Sequence, residues 1–429
     1  MSDRAPAPAD EQARRIWSQL QRTLPAAMQR LLQRAIELAD AQRLPLYLVG
    51  GPVRDAYLQQ PVTDLDLVIE GDAWPLAEAF AATTGGRLTT HAAFRTAVVE
   101  VAADDAICAI DFVTARREIY PAPAALPVVT PSHMADDLRR RDFTINSLAL
   151  KLSGAAVALL DPFDGIGDIT ARLIRVLHDD SFRDDPTRIL RAARFAARLD
   201  FAVAPQTETL LAAALAERMI ARTSSQRILH ELWLTLDEPQ PERTLALLRR
   251  WDALDQLELV WSEQWPALFA AARAADWPEV TLRELYIGLL IWPMPTPARR
   301  AFAARYNLPT AVRKLLDELP AGGWPARLEP LAEPAISALE LERLLHGLST
   351  SALRALQLVA PPVAAVNIAR YLAAIRPLPA LLSGDDLRTQ GVPPGPIYRQ
   401  VLAELRQAQL AGSVTTSEAA RRWLRERLA

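Results

Sequence analysis

Apolar residues recur at three- and four-residue steps from position 12 to 40 (Ile16, Leu20, Met28, Leu31, Leu32, Ile36, Leu38), which predicts two short amphipathic helices packed on the segment after them. From 45 to 160 the period changes. Short strand-like runs, LPLYLVGG, DLDLVIEG, TAVVEVA, CAIDFVTA and SLALKL, are interleaved with helical stretches, the pattern of an α/β segment. Between Gly167 and Gly288 there is no glycine; Leu, Ala and Arg dominate and apolar positions return every three or four residues, which predicts helix throughout. Proline and glycine clusters at 320–330 and 376–396 break the second half into helical packets. No clean repeat, low-complexity tail or heptad seam interrupts this outline of an α/β head with a long helical continuation.

Composition narrows the picture without naming a chemistry. A chain of 429 residues exceeds one compact core, so two to four domains are expected. No long uncharged apolar run occurs, and the opening MSDRAPAPADEQ lacks the basic and apolar regions of a secretion signal, so a soluble, cytoplasmic chain is expected. The single cysteine, Cys108, excludes an internal disulfide and a cysteine-rich zinc site. A net charge of -3 gives no nucleic-acid signal for the chain as a whole, so any such signal must be local. Lysine occurs only at Lys151 and Lys314; the arginine bias fits a GC-rich genome as well as phosphate recognition.

The candidate chemistry starts at VGGPVRDAYLQQPVTDLDLVIEG, positions 49–71. In a strand through this run, Leu65, Leu67 and Ile69 share one face and Asp64, Asp66 and Val68 the other, placing the two acids roughly 6.5 to 7 Å apart along the strand. Two carboxylates on one face repel unless a cation lies between them. Mg²⁺ takes hard oxygen ligands, and a phosphoryl displacement is served by metal at the entering and leaving oxygens. A solvated edge strand with Asp64 capping the turn is the plainer alternative. Upstream, Gly50 and Gly51 let backbone N–H groups approach a ligand, Pro52 suits a first helical turn, and Arg54 comes one turn in, a set suited to phosphate. In CAIDFVTARRE, Asp111 is either a third carboxylate, as metal ligand or base, or an edge-strand acid.

The stretches LVGGPVRDAYLQQPVTDLDLVIEG, DLRRRDFTINSLAL, DPFDGIGDI and RVLHDDSFRDDPTRILRAARFAARLDF resemble, in order and spacing, the class II CCA-adding tRNA nucleotidyltransferase and bacterial poly(A) polymerase family over residues 45–201. The resemblance implies an α+β fold: a polymerase-β-like nucleotidyltransferase head with a mixed β-sheet, followed by an all-α neck, body and tail. It implies N-terminal helices at 1–44, a catalytic head at 45–170, a neck with the base-reading helix at 171–255, a body at 256–345 and a tRNA-binding tail at 346–429. Gly51 and Arg54 would hold nucleotide phosphates, and Asp64 and Asp66 would bind Mg²⁺. Arg141 would contact the nucleotide and Asp142 the ribose, with Asn146 in support. Asp185 and Arg188 match the residues that read the incoming base, and Arg191 and Arg194 match further nucleotide contacts.

That assignment has a physical basis. An aspartate accepts from the exocyclic amine that cytosine and adenine share, and an arginine donates to the neighbouring ring nitrogen or carbonyl. Without the upstream motifs the same residues read as an N-cap, Asp185 before Pro186, and a solvated arginine face on Arg188, Arg191, Arg194 and Arg198.

Two departures bear on substrate. Asp184 replaces the glutamate usual before the base-reading aspartate, which leaves its nucleotide contact dependent on a shorter reach. REIYPAPAALPVVTPSHMADDL, in the place of the loop that switches C to A addition, is proline-rich. The expected activity is addition of CCA to the tRNA 3′ end from CTP and ATP. The alternatives are CC-only, A-only or poly(A) addition, or a catalytically inactive RNA-binding protein. The dipeptide His178-Asp179 suggests a metal phosphohydrolase, but only His230 and His346 lie downstream of it, too few for such a site.

Overall fold

The computed structural model describes residues 8–91, 95–103, 106–153, 156–320 and 324–428. The start of the N-terminal run and residues 321–323 of the first proline-glycine cluster lie outside them. The chain divides into two compact units, Met1–Leu232 with Arg243–Leu257, and Trp233–Glu242 with Glu258–Ala429.

The first unit opens with the two amphipathic helices, α1 (Pro8–Thr23) and α2 (Ala26–Ala41). After them come β1 (Leu46–Val49), α3 (Gly51–Tyr57), β2 (Leu65–Ile69), α4 (Ala73–Thr84), β3 (Arg87–His91), β4 (Thr96–Ala103) and β5 (Ala106–Thr114). Next are β6 (Arg116–Ile119), β7 (Val128–Pro131), α5 (Met134–Arg139), β8 (Ala149–Ser153), β9 (Ala156–Leu160) and α6 (Gly165–Ala171). A seven-stranded sheet runs β3-β4-β5-β2-β1-β8-β9; β2 and β5 are parallel and every other pair is antiparallel, the mixed sheet expected.

The β2–β5 register decides where the acids fall. Leu67 pairs with Phe112, whose ring packs 5.1 Å from Phe80 of α4, so this face is closed by hydrophobic burial. On the opposite face Val68 joins Tyr47, Val49, Met134 and Leu138, so α5 caps the sheet there. The segment read from sequence as a proline-rich loop is instead a two-stranded hairpin, β6 with β7, its ladder pairing Ile119 with Val128.

After β10 (Leu173–Ile174) come α7 (Ser181–Asp184), α8 (Thr187–Leu199) and β11 (Ala202–Val203), with β10 and β11 in a short parallel pair inside the predicted all-helical stretch. Pro186 precedes the first turn of α8, and Asp185, one residue earlier, accepts from the Thr187 backbone N–H at 3.0 Å. Phe195 meets Phe143 edge-on at 5.9 Å, fixing α8 against the segment between α5 and β8.

The second unit contains helices and no strand among its described residues. Trp265, Phe269 and Tyr286 are buried together, and Leu382, Leu387, Val401, Leu405 and Leu424 form a separate C-terminal core. No described helix is long and apolar enough to cross a membrane.

Candidate active site

Two residues before Val68, on the same face of β2, Asp66 is half-buried and lines a cavity of about 580 Å³. Its register partner across the parallel pair is Asp111. Asp64 is exposed and sits in the turn before β2 rather than within the strand, because pairing begins at Leu65 with Ile110. Burial, then the charges of Asp64 and Asp111, push the Asp66 carboxyl up to about 6, with Arg141 pulling the other way. Burial and Asp64 raise Asp111 as well. Among the described residues no arginine, lysine or histidine forms an ion pair with Asp64, Asp66 or Asp111.

Asp64, Asp66 and Asp111 offer Mg²⁺ hard carboxylate oxygens. They do not close into a ready cluster of three ligands among the described residues. An open pair of hard carboxylates nevertheless suits Mg²⁺, which is commonly held by one or two carboxylates and completed by phosphate oxygens and water. Mutual repulsion that no ion pair among the described residues relieves points the same way.

The Gly50–Gly51 turn forms another wall. Gly50 has φ +72°, a conformation that favours glycine, and a Cβ there would stand 2.8 Å from a terminal nitrogen of Arg141, which would have to move aside. Gly51 faces no such crowding. Arg141 is steadied by Asp137 at 3.0 Å. Arg54 lines the cavity while pairing with Asp55 at 2.8 and 3.0 Å, donating to Asn146 and lying over the Phe195 ring. Its guanidinium ties α3 to the segment after α5 from beneath the turn.

Asp142 is buried and almost fully bonded. Arg191 grips Oδ2 at 2.6 and 2.9 Å, while the Asn146 amide and the Phe143 N–H reach Oδ1 at 3.0 and 2.8 Å. Burial alone would raise this carboxyl, but Arg191 and Asn146 hold it well below the usual carboxylate range. Glu231, from the helix Ser225–Leu236, binds Arg191 at 3.1 Å and Arg194 at 3.3 Å.

Arg188 is buried, its Nη1 donating to the Ser181 hydroxyl at 2.6 Å and its Nη2 to the Arg140 carbonyl at 2.7 Å. The solvated-face alternative therefore fails for Arg188 and Arg194; of the four arginines only Arg198 is exposed.

The cavity thus gathers Gly50, Gly51, Arg54, Asp64, Asp66, Arg141, Asp142, Asn146, Asp185, Arg188, Arg191 and Arg194 from the sequence candidates. Asp184 does not line it. Its carboxylate lies 4.0 Å from His178 Nε2. Asp111 stands beside Asp66 on the neighbouring strand β5 and is not part of the lining. Sequence reasoning missed Glu118, Tyr120, Arg140 and Glu231. Arg140 stood in plain view within RRRD, but nothing local distinguished it from its neighbours. Glu118 and Tyr120 sat in the segment read as loop.

Comparison with known proteins agrees with this geometry. Residues 46–175 match the family described as the poly A polymerase head domain. The chain is 32% identical over 427 residues to an A-adding tRNA nucleotidyltransferase of Geobacter sulfurreducens, covering 93% of this chain and 47% of that protein. It is 40% identical over 239 residues to a CC-adding tRNA nucleotidyltransferase of Deinococcus radiodurans, covering 56% of this chain and 61% of that one. The chain therefore spans about half the length of the curated relatives it matches. An apo structure of a CCA-adding enzyme superposes with a TM-score of 0.78 at 29% identity, over 95% of this chain and 98% of that one. The sheet order, the acids beside a glycine turn and these matches together make residues 46–175 similar to the poly A polymerase head domain, and the chain similar to tRNA nucleotidyltransferases of the CCA-adding kind.

Proposed function

We propose that this protein is a cytoplasmic, Mg²⁺-dependent, template-independent nucleotidyltransferase that extends the tRNA 3′ end with C and A from CTP and ATP and releases pyrophosphate. The observation that carries the reading is the unpaired Asp64, Asp66 and Asp111 group beside the Gly50 turn. Asp64 and Asp66 would hold the metal, which when bound neutralises charge on the triphosphate and on the oxygens entering and leaving phosphorus. Asp111, with its raised proton affinity, suits receipt of the proton from the attacking 3′-hydroxyl. The Gly50–Gly51 backbone admits the triphosphate with Arg141 alongside, and Arg54 keeps that turn in place.

Asp142 faces the cavity with its oxygens already ordered by Arg191 and Asn146, a rigid acceptor for a ribose hydroxyl. On α8, Asp185 Oδ1 is fully engaged and Oδ2 has no hydrogen bond among the described residues, leaving it open to a base amine. Arg188 is fixed by Ser181 and Arg140 and retains further N–H groups for the adjoining ring atom.

The test is product length. tRNAs ending at the discriminator base, at C and at CC, incubated with CTP, ATP or both, are expected to grow to CCA and stop. Extension of only the CC-ended substrate, or arrest after CC, would replace the reading with partial addition. Long A tails would make the protein a poly(A) polymerase, and binding without incorporation an inactive RNA-binding protein.

A further inference from the structure

Arg227, on the helix Ser225–Leu236, belongs to none of the motifs that carry the chemistry, yet its two terminal nitrogens join the base-reading acid to the hairpin turn. Nη2 donates to Asp185 Oδ1 at 2.5 Å, and Nη1 donates to the backbone carbonyl of Ala124, between β6 and β7, at 3.0 Å. The same oxygen of Asp185 also accepts from the Thr187 N–H at 3.0 Å and hydroxyl at 2.5 Å. Three donors on Oδ1 leave Oδ2 without a hydrogen bond among the described residues, in a side chain that lines the cavity. Ala124, at φ +63°, is held a second time by its own N–H, which donates to the Arg183 carbonyl at 2.8 Å, two residues before Asp185. The Arg227 and Asp185 side chains are both about one-fifth exposed, so water competes with their contact less than at a free surface.

We infer that Arg227 is a positioning residue for nucleotide selection: it locks the Asp185 carboxylate to the 120–127 turn so that Oδ2 is presented at one fixed angle to the exocyclic amine of the incoming base. The inference rests on the base-reading role proposed for Asp185. Arg227 touches no nucleotide in this scheme. A carboxylate free to rotate presents an acceptor over a wider arc, which weakens binding of C and A and tolerates bases of the wrong polarity. The second arm, to Ala124, makes the hairpin part of the selecting apparatus, because a shift of the turn moves the guanidinium and with it the carboxylate.

The experiment measures kcat and KM for ATP, CTP, UTP and GTP on tRNA acceptors with Arg227→Met, Arg227→Lys, Asp185→Asn and the double variant Asp185→Asn/Arg227→Met, each checked for a cooperative melt. Loss of a charge-assisted contact predicts that Arg227→Met raises KM for the accepted nucleotide on the order of 10-fold and lowers discrimination against UTP and GTP similarly, with kcat falling less than KM rises. Arg227→Lys restores part of this, since one ammonium can reach Asp185 but not bridge to Ala124 as well. The double variant should select no worse than Asp185→Asn alone, because Arg227 acts through Asp185.

A folded Arg227→Met protein with wild-type discrimination, or an additive loss in the double variant, overturns the inference. If Arg227→Met fails to fold, wild-type discrimination in a folded Arg227→Gln protein, which has lost the charge, does the same. Unaltered selection in Asp185→Asn would instead remove the base-reading role itself, and with it the positioning role.

Discussion

On β2 and β5, Asp66 and Asp111 stand side by side with Asp64 close by and no cationic side chain in ion-pairing distance among the described residues. On α8, Arg191 and Arg194 are each matched by buried carboxylates, Asp142 and Glu231, and Arg188 is fixed by Ser181 and a main-chain carbonyl. One wall of the cavity leaves its charge uncompensated, and the other neutralises its charge internally. The difference separates two jobs. Acids kept together without a partner store repulsion that a bound cation relieves, whereas arginines paired with buried acids hold geometry and have only their remaining N–H groups for a ligand. Seven arginines and seven acidic residues line the cavity, so its arginine-rich sequence does not make it a cationic sink.

The sharpest way to break this comparison is at Asp66. Asp66→Asn should reduce nucleotide incorporation on the order of 10³-fold, the scale for losing a principal group that stabilises developing charge. It should also raise the thermal stability of the metal-free protein at pH 8, because one of three mutually repelling carboxylates is gone. Opposite signs for activity and stability distinguish a ligand-seeking acid from a structural one. Incorporation within threefold of wild type, measured with a CCA-lacking tRNA, would remove the metal role.

The arginine wall predicts a same-sign result. Arg191→Met leaves Asp142 and Glu231 buried without their main partner, and breaking such a pair costs about 3 to 5 kcal/mol. Urea unfolding at pH 7 should show the loss, with incorporation falling as well. Because Asp142 is held well below the usual carboxylate range, its contribution is present at neutral pH and fades as acid protonates it, so the deficit of the variant should shrink toward low pH. An Arg191→Met protein as stable as wild type would mean that the network is not what fixes α8.

The two walls were legible to different degrees, for physical reasons. Asp66 and Asp111 are set by strand alternation, a local rule, so their direction could be read from neighbours of known burial. The strand boundary at Leu65, which leaves Asp64 in the turn, depends on pairing with Ile110 far along the chain. β3 went unrecognised because RLTTH is polar and mostly exposed at the sheet edge, with little apolar alternation to reveal it. Prolines at 121, 123 and 127 concealed the β6–β7 hairpin, although they fall between its strands where no ladder hydrogen bond is lost. On α8, the three- and four-residue arginine spacing announced a helix face. Which arginines are buried is decided by Glu231, Asp142 and Phe195, partners contributed in part by other segments. The bonding that fixes Arg54 likewise requires Asn146, which lies 92 residues away.

The smallest expected effect joins the two walls through proton and metal linkage. Folding raises the Asp66 carboxyl from an ordinary value near 3.8 to about 6, so between those values the folded protein binds a proton that the unfolded chain releases. Stability from this group is therefore complete below about pH 4 and is lost as pH climbs through 6. Above 6 Asp66 ionises, which is also where Mg²⁺ competes best for it. Millimolar Mg²⁺ should raise the melting temperature by a few degrees at pH 7.5 and by much less at pH 5, on the order of 1 kcal/mol of linked binding energy. Asp66→Asn should flatten that difference, while a variant on the arginine wall, such as Arg191→Met, should lower both melting temperatures and leave the Mg²⁺ increment in place. Equal Mg²⁺ increments at the two pH values in the wild type would show that the cation binds somewhere other than beside Asp66, and the contrast between an open acid floor and a closed arginine wall would lose its functional meaning.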